Sequence, residues 1–239
     1  MKTQILGVKI DAVSFDEAKR TVLSFLEEDR PHTVFTPNPE MVMLAGRDAA
    51  FLSILNNADL VVPDGIGVVL ASKRNKVKIK ERVAGYDLIQ AVFDGIKTSG
   101  KTVYFLGAAP GVAEKAAENM RRAYPGLQII GVADGYFDAE KEILLLEEIR
   151  KKKPDILLVG MSMAKQEKWI DRHKNELPAK VLVGVGGSFD GMSGTVKRAP
   201  ALFCKLGLEW FYRLVKQPAR IKRQIYLPLF VLKVLFAKQ

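Results

Sequence analysis

The sequence predicts an α/β fold: a Rossmann-like, mostly parallel sheet with helices on both faces, followed by a basic, amphipathic helical appendage. Short, continuously apolar runs alternate with longer amphipathic stretches along most of the chain, which is typical of parallel strands buried between helices. The last 43 residues hold ten basic side chains and one acid, whereas residues 1–196 hold 27 basic and 26 acidic ones. This shift predicts an α/β core at 1–196 and an appendage at 197–239.

The strands of the core are predicted where apolar, often β-branched runs end in Gly, Pro, Asn or Asp. In chain order they are Ile5–Ile10, His32–Thr36, Leu60–Val62, Thr102–Leu106, Gln128–Val132, Ile156–Val159 and Val181–Val185. Helices are predicted where apolar residues recur at intervals of three and four. The first begins at Ser14, which forms a capping box with Glu17, and the others are Glu40–Gly46, Asp48–Asn57, Tyr86–Lys97, Val112–Tyr124, Ala139–Lys152 and Ala164–Asn175.

The appendage is predicted to be helical and interrupted by proline. Pro218 separates a helix at Leu208–Lys216 from a second helix that begins at Ala219, and Pro228 is expected to end that second helix. The apolar stretch Leu227–Ala237 is shorter than the roughly 20 residues that cross a bilayer. It is therefore expected to lie on a membrane and not to span one.

The basic residues of the appendage predict an anionic partner. Arg213, Lys216, Arg220 and Arg223 are spaced three, four and three apart, so they share one face if the helical phase continues across Pro218. A solvated charged face would have the same spacing. Because the remaining residues are rich in aromatic side chains, the pattern favours binding to an anionic surface, either a bilayer or a nucleic acid.

Candidate site residues follow the strands, because functional groups in open parallel sheets gather at the carboxyl ends of the strands. A strand that begins at Thr102 is followed by the Gly107–Gly111 turn and then by a helix. The backbone N–H groups at the start of such a helix suit a phosphate. Neither a G-x-G-x-x-G fingerprint nor a Walker A lysine is present, which disfavours a dinucleotide enzyme and an ATPase. Asp64, between Pro63 and Gly65, has two open interpretations: a general base or an N-cap of the next helix.

Metal and disulfide chemistry are poorly supported. The chain has two histidines, His32 and His173, one cysteine, Cys204, and no Asp-x-Asp pair. No cofactor and no metal site are predicted, so the charge of a bound diphosphate would have to be met by backbone N–H groups and arginines. A single cysteine also excludes an intramolecular disulfide.

The motifs that follow the predicted strands, which form the rim of the sheet, resemble in their order those of the WecG/TagA/CpsF glycosyltransferases from about Leu6 to Arg223. The motifs are Phe35-Thr36-Pro37-Asn38-Pro39-Glu40, Ala58-Asp59-Leu60-Val61-Val62-Pro63-Asp64-Gly65-Ile66-Gly67, Glu81-Arg82-Val83-Ala84-Gly85-Tyr86-Asp87-Leu88, Phe105-Leu106-Gly107, Pro110-Gly111-Val112-Ala113, Gly135-Tyr136-Phe137, Lys165-Gln166-Glu167-Lys168-Trp169-Ile170 and Lys197-Arg198-Ala199-Pro200. The segment Leu208–Leu214 with Gln217-Pro218-Ala219-Arg220 is similar to the C-terminal part of the TagA branch. Relatives read Gly-x-Pro where this chain has Ser162-Met163-Ala164, which predicts a looser turn before Gln166.

The resemblance implies an inverting transferase that moves N-acetylmannosamine from its UDP donor to N-acetylglucosaminyl-diphospho-undecaprenol, an early step of wall teichoic acid synthesis. It places Thr36 and Asp64 in the catalytic pocket, with Asp64 as the candidate base. The family positions expected to line the substrate are Asn38, Arg82, Gln166 and Glu167. Their place on the rim adds Gly107, Ala108 and Tyr136 for the nucleotide, and Asp190.

The resemblance and the composition together predict a peripheral enzyme on the cytoplasmic face of the cell membrane. Arg213, Arg220 and Arg223 are expected to reach the lipid diphosphate. Three other classes are weighed against this: an oxidoreductase, a nucleic-acid-binding protein with stacking aromatics, and a non-catalytic sugar-nucleotide sensor. Of these, the oxidoreductase and the nucleic-acid-binding protein are the disfavoured hypotheses. The apolar surface of helices such as Glu40–Asn57 offers an interface for a homo-oligomer.

Overall fold

The computed structural model describes residues 1–197, 199, 200, 203, 209–216 and 226–236, with only the backbone of Arg213 and Lys216. The strands are β1 (Lys2–Ile5), β2 (Val8–Asp11), β3 (His32–Phe35), β4 (Leu60–Val61), β5 (Thr102–Gly107), β6 (Gln128–Ala133), β7 (Ile156–Gly160) and β8 (Val181–Gly184). The helices are α1 (Phe15–Phe25), α2 (Pro39–Ala45), α3 (Ala49–Asn56), α4 (Ile66–Ser72), α5 (Gly85–Ile96), α6 (Val112–Ala123), α7 (Ala139–Lys152), α8 (Lys165–His173), α9 (Ser188–Ser193), α10 (Glu209–Lys216) and α11 (Tyr226–Phe236).

Six strands form one parallel sheet in the order β4-β3-β8-β7-β5-β6. Alternate residues of each strand enter two separate cores, because successive side chains of a strand point to opposite faces. Leu157 and Val159 of β7 join the core under α2, α3, α4, α7 and α8. Ile156 and Leu158 join the core under α1, α5, α6 and α9. The predicted α/β fold with helices on both faces is confirmed.

The predicted first strand, Ile5–Ile10, is wrong. The segment is a hairpin in which β1 and β2 pair antiparallel outside the main sheet. Leu6 and Gly7 form its two-residue turn with φ values of 48° and 94°, the backbone region that such hairpin turns require. Gly7 adopts this region without steric strain, and it was the local signal for the turn.

The predicted capping box of α1 is confirmed. The Ser14 Oγ accepts a hydrogen bond from the Glu17 N–H (3.2 Å), and the Glu17 Oε2 accepts one from the Ser14 N–H (2.7 Å). The helix predicted at Leu208–Lys216 agrees with α10, and a second helix starting at Ala219 falls outside the described residues. The short helix α9 was not predicted, because the rim segment around it reads as a glycine-rich loop.

Pro228 lies in the first turn of α11 and does not end a helix. Proline is tolerated there because the first turn of a helix has no intrahelical acceptor for its N–H groups. The helix packs against α2 and α4, and Phe230, only 2% exposed, belongs to the same core as β7 residues Leu157 and Val159. The C-terminal helix is therefore part of the folded body.

Candidate active site

The carboxyl ends of the six parallel strands form one rim that carries the candidate residues. Thr36 follows β3 and Asp64 follows β4 at one end of the sheet, whereas Gly107 ends β5 and Tyr136 follows β6 at the other. Three strand spacings separate β3 from β5, about 14 Å at ~4.8 Å each. The rim therefore divides into a half with the ionisable groups and a half with the glycine-rich turn.

Asp64 is not the N-cap of α4. The cap residue is Gly65, with a φ of 95°, and no side chain makes a cap hydrogen bond there. The backbone N–H of Val83 donates to the Pro63 carbonyl (3.0 Å), which brings Arg82 beside the Asp64 carboxylate. Asp64 keeps 27% of its side-chain surface exposed, so it is held by Arg82 and still open to the rim.

Arg82 links Asp64 to the appendage. Its Nε lies 3.2 Å from Oδ1 of Asp64, and its Nη2 lies 2.8 Å from Oε2 of Glu209. Glu209 is the first residue of α10 and its side chain is 11% exposed. Burial would lower the pKa of the Arg82 guanidinium, but the two carboxylates outweigh it and raise that pKa, so Arg82 remains a cation.

The pKa of the Asp64 carboxyl is raised above its usual range. Burial is the main cause, since a carboxylate is less well solvated among protein atoms than in water. Arg82 opposes the shift, the negative charge of Glu209 adds to it, and the backbone N–H of Gly85 opposes it weakly. A carboxylate with a raised pKa is a stronger base, which suits proton abstraction near neutral pH.

Thr36 and Asn38 complete this half of the rim. A Cβ built on Gly85 would lie 3.0 Å from the Thr36 Oγ1 and Cγ2, so the absent side chain lets the start of α5 approach Thr36. Gly85 thus contacts Thr36 and Asp64 together. Asn38 is the N-cap of α2, and its Oδ1 accepts a hydrogen bond from the Met41 N–H (3.1 Å).

Gln166 and Glu167 lie under the rim and are almost fully buried. The Gln166 Oε1 accepts hydrogen bonds from the N–H groups of Gly186 (2.9 Å) and Met161 (3.2 Å), and its Nε2 donates to the Glu167 Oε1 (2.6 Å). These bonds join the ends of β7 and β8 and hold Gln166 firmly, although the turn before it departs from the family pattern. Ala164 in that turn has a φ of 65°.

Glu167 is a buried carboxyl with an incomplete set of partners. Its Oε2 has no hydrogen-bond partner among the described residues. Burial raises the pKa of the Glu167 carboxyl, and the hydrogen bond from Gln166 offsets this in part. The neutral acid is favoured at such a site because an unpaired buried carboxylate is poorly solvated.

The other half of the rim is a backbone cradle. A Cβ on Gly107, whose φ is 136°, would lie 2.2 Å from the Gly160 carbonyl oxygen, so β5 and β7 approach too closely for any side chain there. Ala108 is also in the left-handed region, with a φ of 59°. Gly111 is the N-cap of α6 and supplies no side-chain cap, which leaves the N–H groups of the first turn for an anion. Tyr136 is 72% exposed beside this turn.

A sequence model of the Glycosyl transferase WecG/TagA/CpsF family matches residues 3–239. The chain belongs to this family. It is therefore an enzyme of the glycosyltransferase class, in agreement with the resemblance of the rim motifs.

Two relatives carry the same protein name, N-acetylglucosaminyldiphosphoundecaprenol N-acetyl-beta-D-mannosaminyltransferase. The protein of Bacillus spizizenii is 38% identical over 212 residues, which cover 89% of this chain and 82% of the relative. The protein of Staphylococcus aureus strain MRSA252 is 36% identical over 240 residues, which cover all of this chain and 94% of the relative. Both names describe transfer to a lipid-linked acceptor.

The site of this WecG/TagA/CpsF glycosyltransferase includes one residue that the sequence reading did not select. Glu209 is the only acid of the appendage. Its isolation among ten basic residues was the signal in the sequence that could have selected it as a site residue. The described residues contain no group of three or more His, Cys, Asp or Glu side chains that could hold a metal ion. They also contain no helix long and apolar enough to cross a membrane.

The remaining predicted site residues lie elsewhere or are not described. Asp190 is in the first turn of α9, after β8, and a Cβ on Gly187 would lie 3.3 Å from its Oδ2. Arg213 is in α10, four residues after Glu209, but only its backbone is described. Arg220 and Arg223 lie outside the described residues. Their predicted contact with a lipid diphosphate stays a prediction.

Proposed function

We propose that this glycosyltransferase moves N-acetylmannosamine from UDP-N-acetylmannosamine to N-acetylglucosaminyl-diphospho-undecaprenol with inversion, forming a β-1,4-linked disaccharide lipid for wall teichoic acid synthesis. The names of relatives that cover most or all of this chain support the acceptor and the transferred sugar. The observation that carries the proposal is the Asp64–Arg82–Glu209 arrangement, a carboxylate base held at the rim and tied to the basic appendage.

Asp64 is proposed as the base for a single displacement. It takes the proton of the acceptor 4-hydroxyl as that oxygen bonds to the anomeric carbon of the donor. The bond from this carbon to the UDP oxygen breaks at the same time, and UDP leaves with the electron pair. Because attack occurs opposite the leaving group, the configuration inverts. Arg82 fixes the carboxylate, and Thr36, beside it across Gly85, is positioned to contact the reacting sugar.

UDP is proposed to bind in the other half of the rim. The N–H groups at the start of α6 and the turn at Gly107 and Ala108 suit a diphosphate, since an uncapped helix N-terminus attracts negative charge. The exposed ring of Tyr136 is available to stack on the uracil. Gln166 and Glu167 hold the backbone between the two halves of the rim. They are proposed to act on the substrate through that backbone. Asp190, in the first turn of α9, remains a proposed substrate ligand.

The appendage, residues 197–239, is proposed to complete the active site and to attach the enzyme to the cytoplasmic leaflet. Glu209 supports the first role because it brings α10 to Arg82. Exposed Trp210, Phe211 and Val215 of α10 support the second. With this docking, Arg213, Arg220 and Arg223 are the proposed contacts for the lipid diphosphate.

The deciding experiment compares UDP release by the wild type and Asp64→Asn, in the presence of EDTA. The substrates are UDP-N-acetylmannosamine and a short-chain lipid diphosphate carrying N-acetylglucosamine. We expect acceptor-dependent release by the wild type and a loss of at least about 100-fold in the variant, the usual contribution of a general base. Asp94→Asn is the control, because Asp94 is an exposed residue of α5 whose carboxylate pairs with the Lys97 ammonium (2.8 Å).

Each outcome has a distinct meaning. Release that survives in Asp64→Asn would remove Asp64 as the base. Release with other UDP-sugars but not with UDP-N-acetylmannosamine would reject the proposed donor and keep the family assignment. Release that EDTA abolishes would reject the metal-independent reaction.

A further inference from the structure

A second basic surface lies on the core itself, in the basic loop of residues 73–80 between α4 and α5. The near balance of charge over residues 1–196 conceals it, because five of its eight residues are basic and none is acidic. The five basic side chains, all exposed, are Lys73, Arg74, Lys76, Lys78 and Lys80.

The loop is held so that its cations face outward. The Asn75 Nδ2 donates to the Thr3 Oγ1 (2.8 Å) and to the Gln4 carbonyl (2.6 Å), which ties the loop to β1. The Ile79 N–H donates to the Ser72 Oγ (2.9 Å), and the Ile79 side chain is buried. Burial alternates along this segment: residues 75 and 77 are half-buried and Ile79 is buried, whereas the basic residues at 76, 78 and 80 are exposed.

Helix α11 lies beside this loop. Tyr226, Phe230 and Val234 of α11 belong to or pack against the core, and Val234 lines a cleft of about 720 Å³ together with Arg74 and Lys76 of the loop. On its other side α11 exposes five large apolar side chains, which are Leu229, Val231, Leu232, Leu235 and Phe236. A helix that is apolar on all faces needs a second apolar environment on the side away from the core.

We propose that the basic loop and the exposed face of α11 together form a membrane-docking surface, and that its partner is an anionic lipid leaflet. An apolar helix face enters the acyl boundary while adjacent lysines and arginines meet anionic headgroups. The charge of the surface selects this partner: every charged residue of the loop is cationic, and Lys233 is the only charged residue of α11. The choice of a membrane rests on the proposed function, because the proposed acceptor is a membrane lipid.

This surface adds a site on the core to the attachment proposed for the appendage. Each Lys or Arg near an anionic leaflet strengthens binding about fivefold. Removing three of them is therefore expected to weaken binding roughly 100-fold, even though every residue of the appendage remains in place.

The test measures sedimentation of the full-length protein with phosphatidylcholine vesicles, with and without phosphatidylglycerol. The test variant carries Lys73→Gln, Lys76→Gln and Lys78→Gln. The control variant carries the same changes at 151–153, three exposed lysines at the end of α7. That helix packs against β6, at the opposite edge of the sheet from β4. Both variants lose three positive charges.

We expect the loop variant to lose roughly 100-fold in affinity for the anionic vesicles, and the control variant to lose less than about threefold. Leu232→Ser with Leu235→Ser is expected to weaken binding to the same vesicles. Equal losses in the two lysine variants would show an effect of net charge alone and would overturn the proposal. Unchanged binding of the loop variant to the anionic vesicles would also overturn the proposal. This holds even if the loop variant loses self-association or RNA binding, because the surface would then serve a different partner.

Activity separates this proposal from the proposed function. The loop variant is expected to keep wild-type transfer to a soluble short-chain acceptor and to lose transfer to an acceptor embedded in anionic vesicles. If the wild type transfers no sugar to either acceptor, the proposed function fails, while the vesicle-binding result still decides the docking surface.

Discussion

Glu209→Gln tests whether the appendage acts on the chemistry at Asp64. The two ionic contacts of Arg82, at 3.2 Å and 2.8 Å, join the Asp64 and Glu209 carboxylates through one guanidinium. These two contacts and the width of one guanidinium place the two carboxylates at most about 8 Å apart, so at an effective dielectric constant of about 20–40 their repulsion is at least about 1–2 kcal/mol. This repulsion raises the pKa of Asp64, and the substitution removes it.

The expected sign follows from the role of a base. A base must be deprotonated to act, so kcat/KM rises with pH through the pKa of Asp64 in the free enzyme. Without the charge of Glu209 that pKa is lower, and the acid limb of the profile moves to lower pH. The plateau is expected to fall about tenfold, because a weaker base and a weaker hold on α10 together amount to about 1–2 kcal/mol.

The assay is the pH profile of kcat/KM for UDP release with the soluble acceptor. Glu81→Gln is the control, since exposed Glu81 precedes Arg82 in the chain but accepts its hydrogen bond from the Phe15 N–H (2.7 Å). A lower plateau with an unmoved acid limb would limit Glu209 to docking the appendage. A limb that moved to higher pH, or no change at all, would refute the electrostatic reasoning.

Two further predictions concern buried groups of the rim. Glu167→Gln is expected to raise the free energy of unfolding by about 1–2 kcal/mol at pH 8, roughly 3–6 °C in Tm for a chain of this size. Because the folded-state pKa of Glu167 lies above the unfolded value of 4.5, the ionised Glu167 destabilises the wild type increasingly as pH rises above 4.5, and the stability gained by the variant should vanish near that pH. Exposed Glu147→Gln is the control. A gain in stability that did not depend on pH would contradict this account. Gly107→Ala is expected to cost at least about 3 kcal/mol or to prevent folding, since its Cβ would lie 2.2 Å from a backbone oxygen. Gly100→Ala is the control, because Gly100 also has a positive φ but has open space around it. Chemical denaturation should show that this variant loses only about 1 kcal/mol of the free energy of unfolding. Equal losses in the two variants would show that backbone strain alone matters.

The sequence by itself determined the α/β class and the parallel strands of the core. Runs such as Thr102–Leu106 are predicted correctly because a short, continuously apolar stretch and the glycine turn that follows it are both local properties of the sequence. The rim residues Thr36 and Asp64 could be selected for the same reason: parallel strands bring their carboxyl ends to one edge whatever their order. Local pattern failed at Ile5–Ile10, where one continuous strand was expected and the two-residue turn at Gly7 divides the run.

Only the tertiary structure decided which of the selected residues act together. Glu209 meets Arg82 across 127 positions of sequence, and no periodicity links residues so far apart. Asp64 was equally suited to capping or catalysis until Gly65 was seen to cap α4 and Arg82 to bind the carboxylate. Phe230 likewise enters the core only because α11 lies across α2 and α4. Such contacts depend on how whole elements pack, and packing is set by surfaces that distant segments of the chain form together.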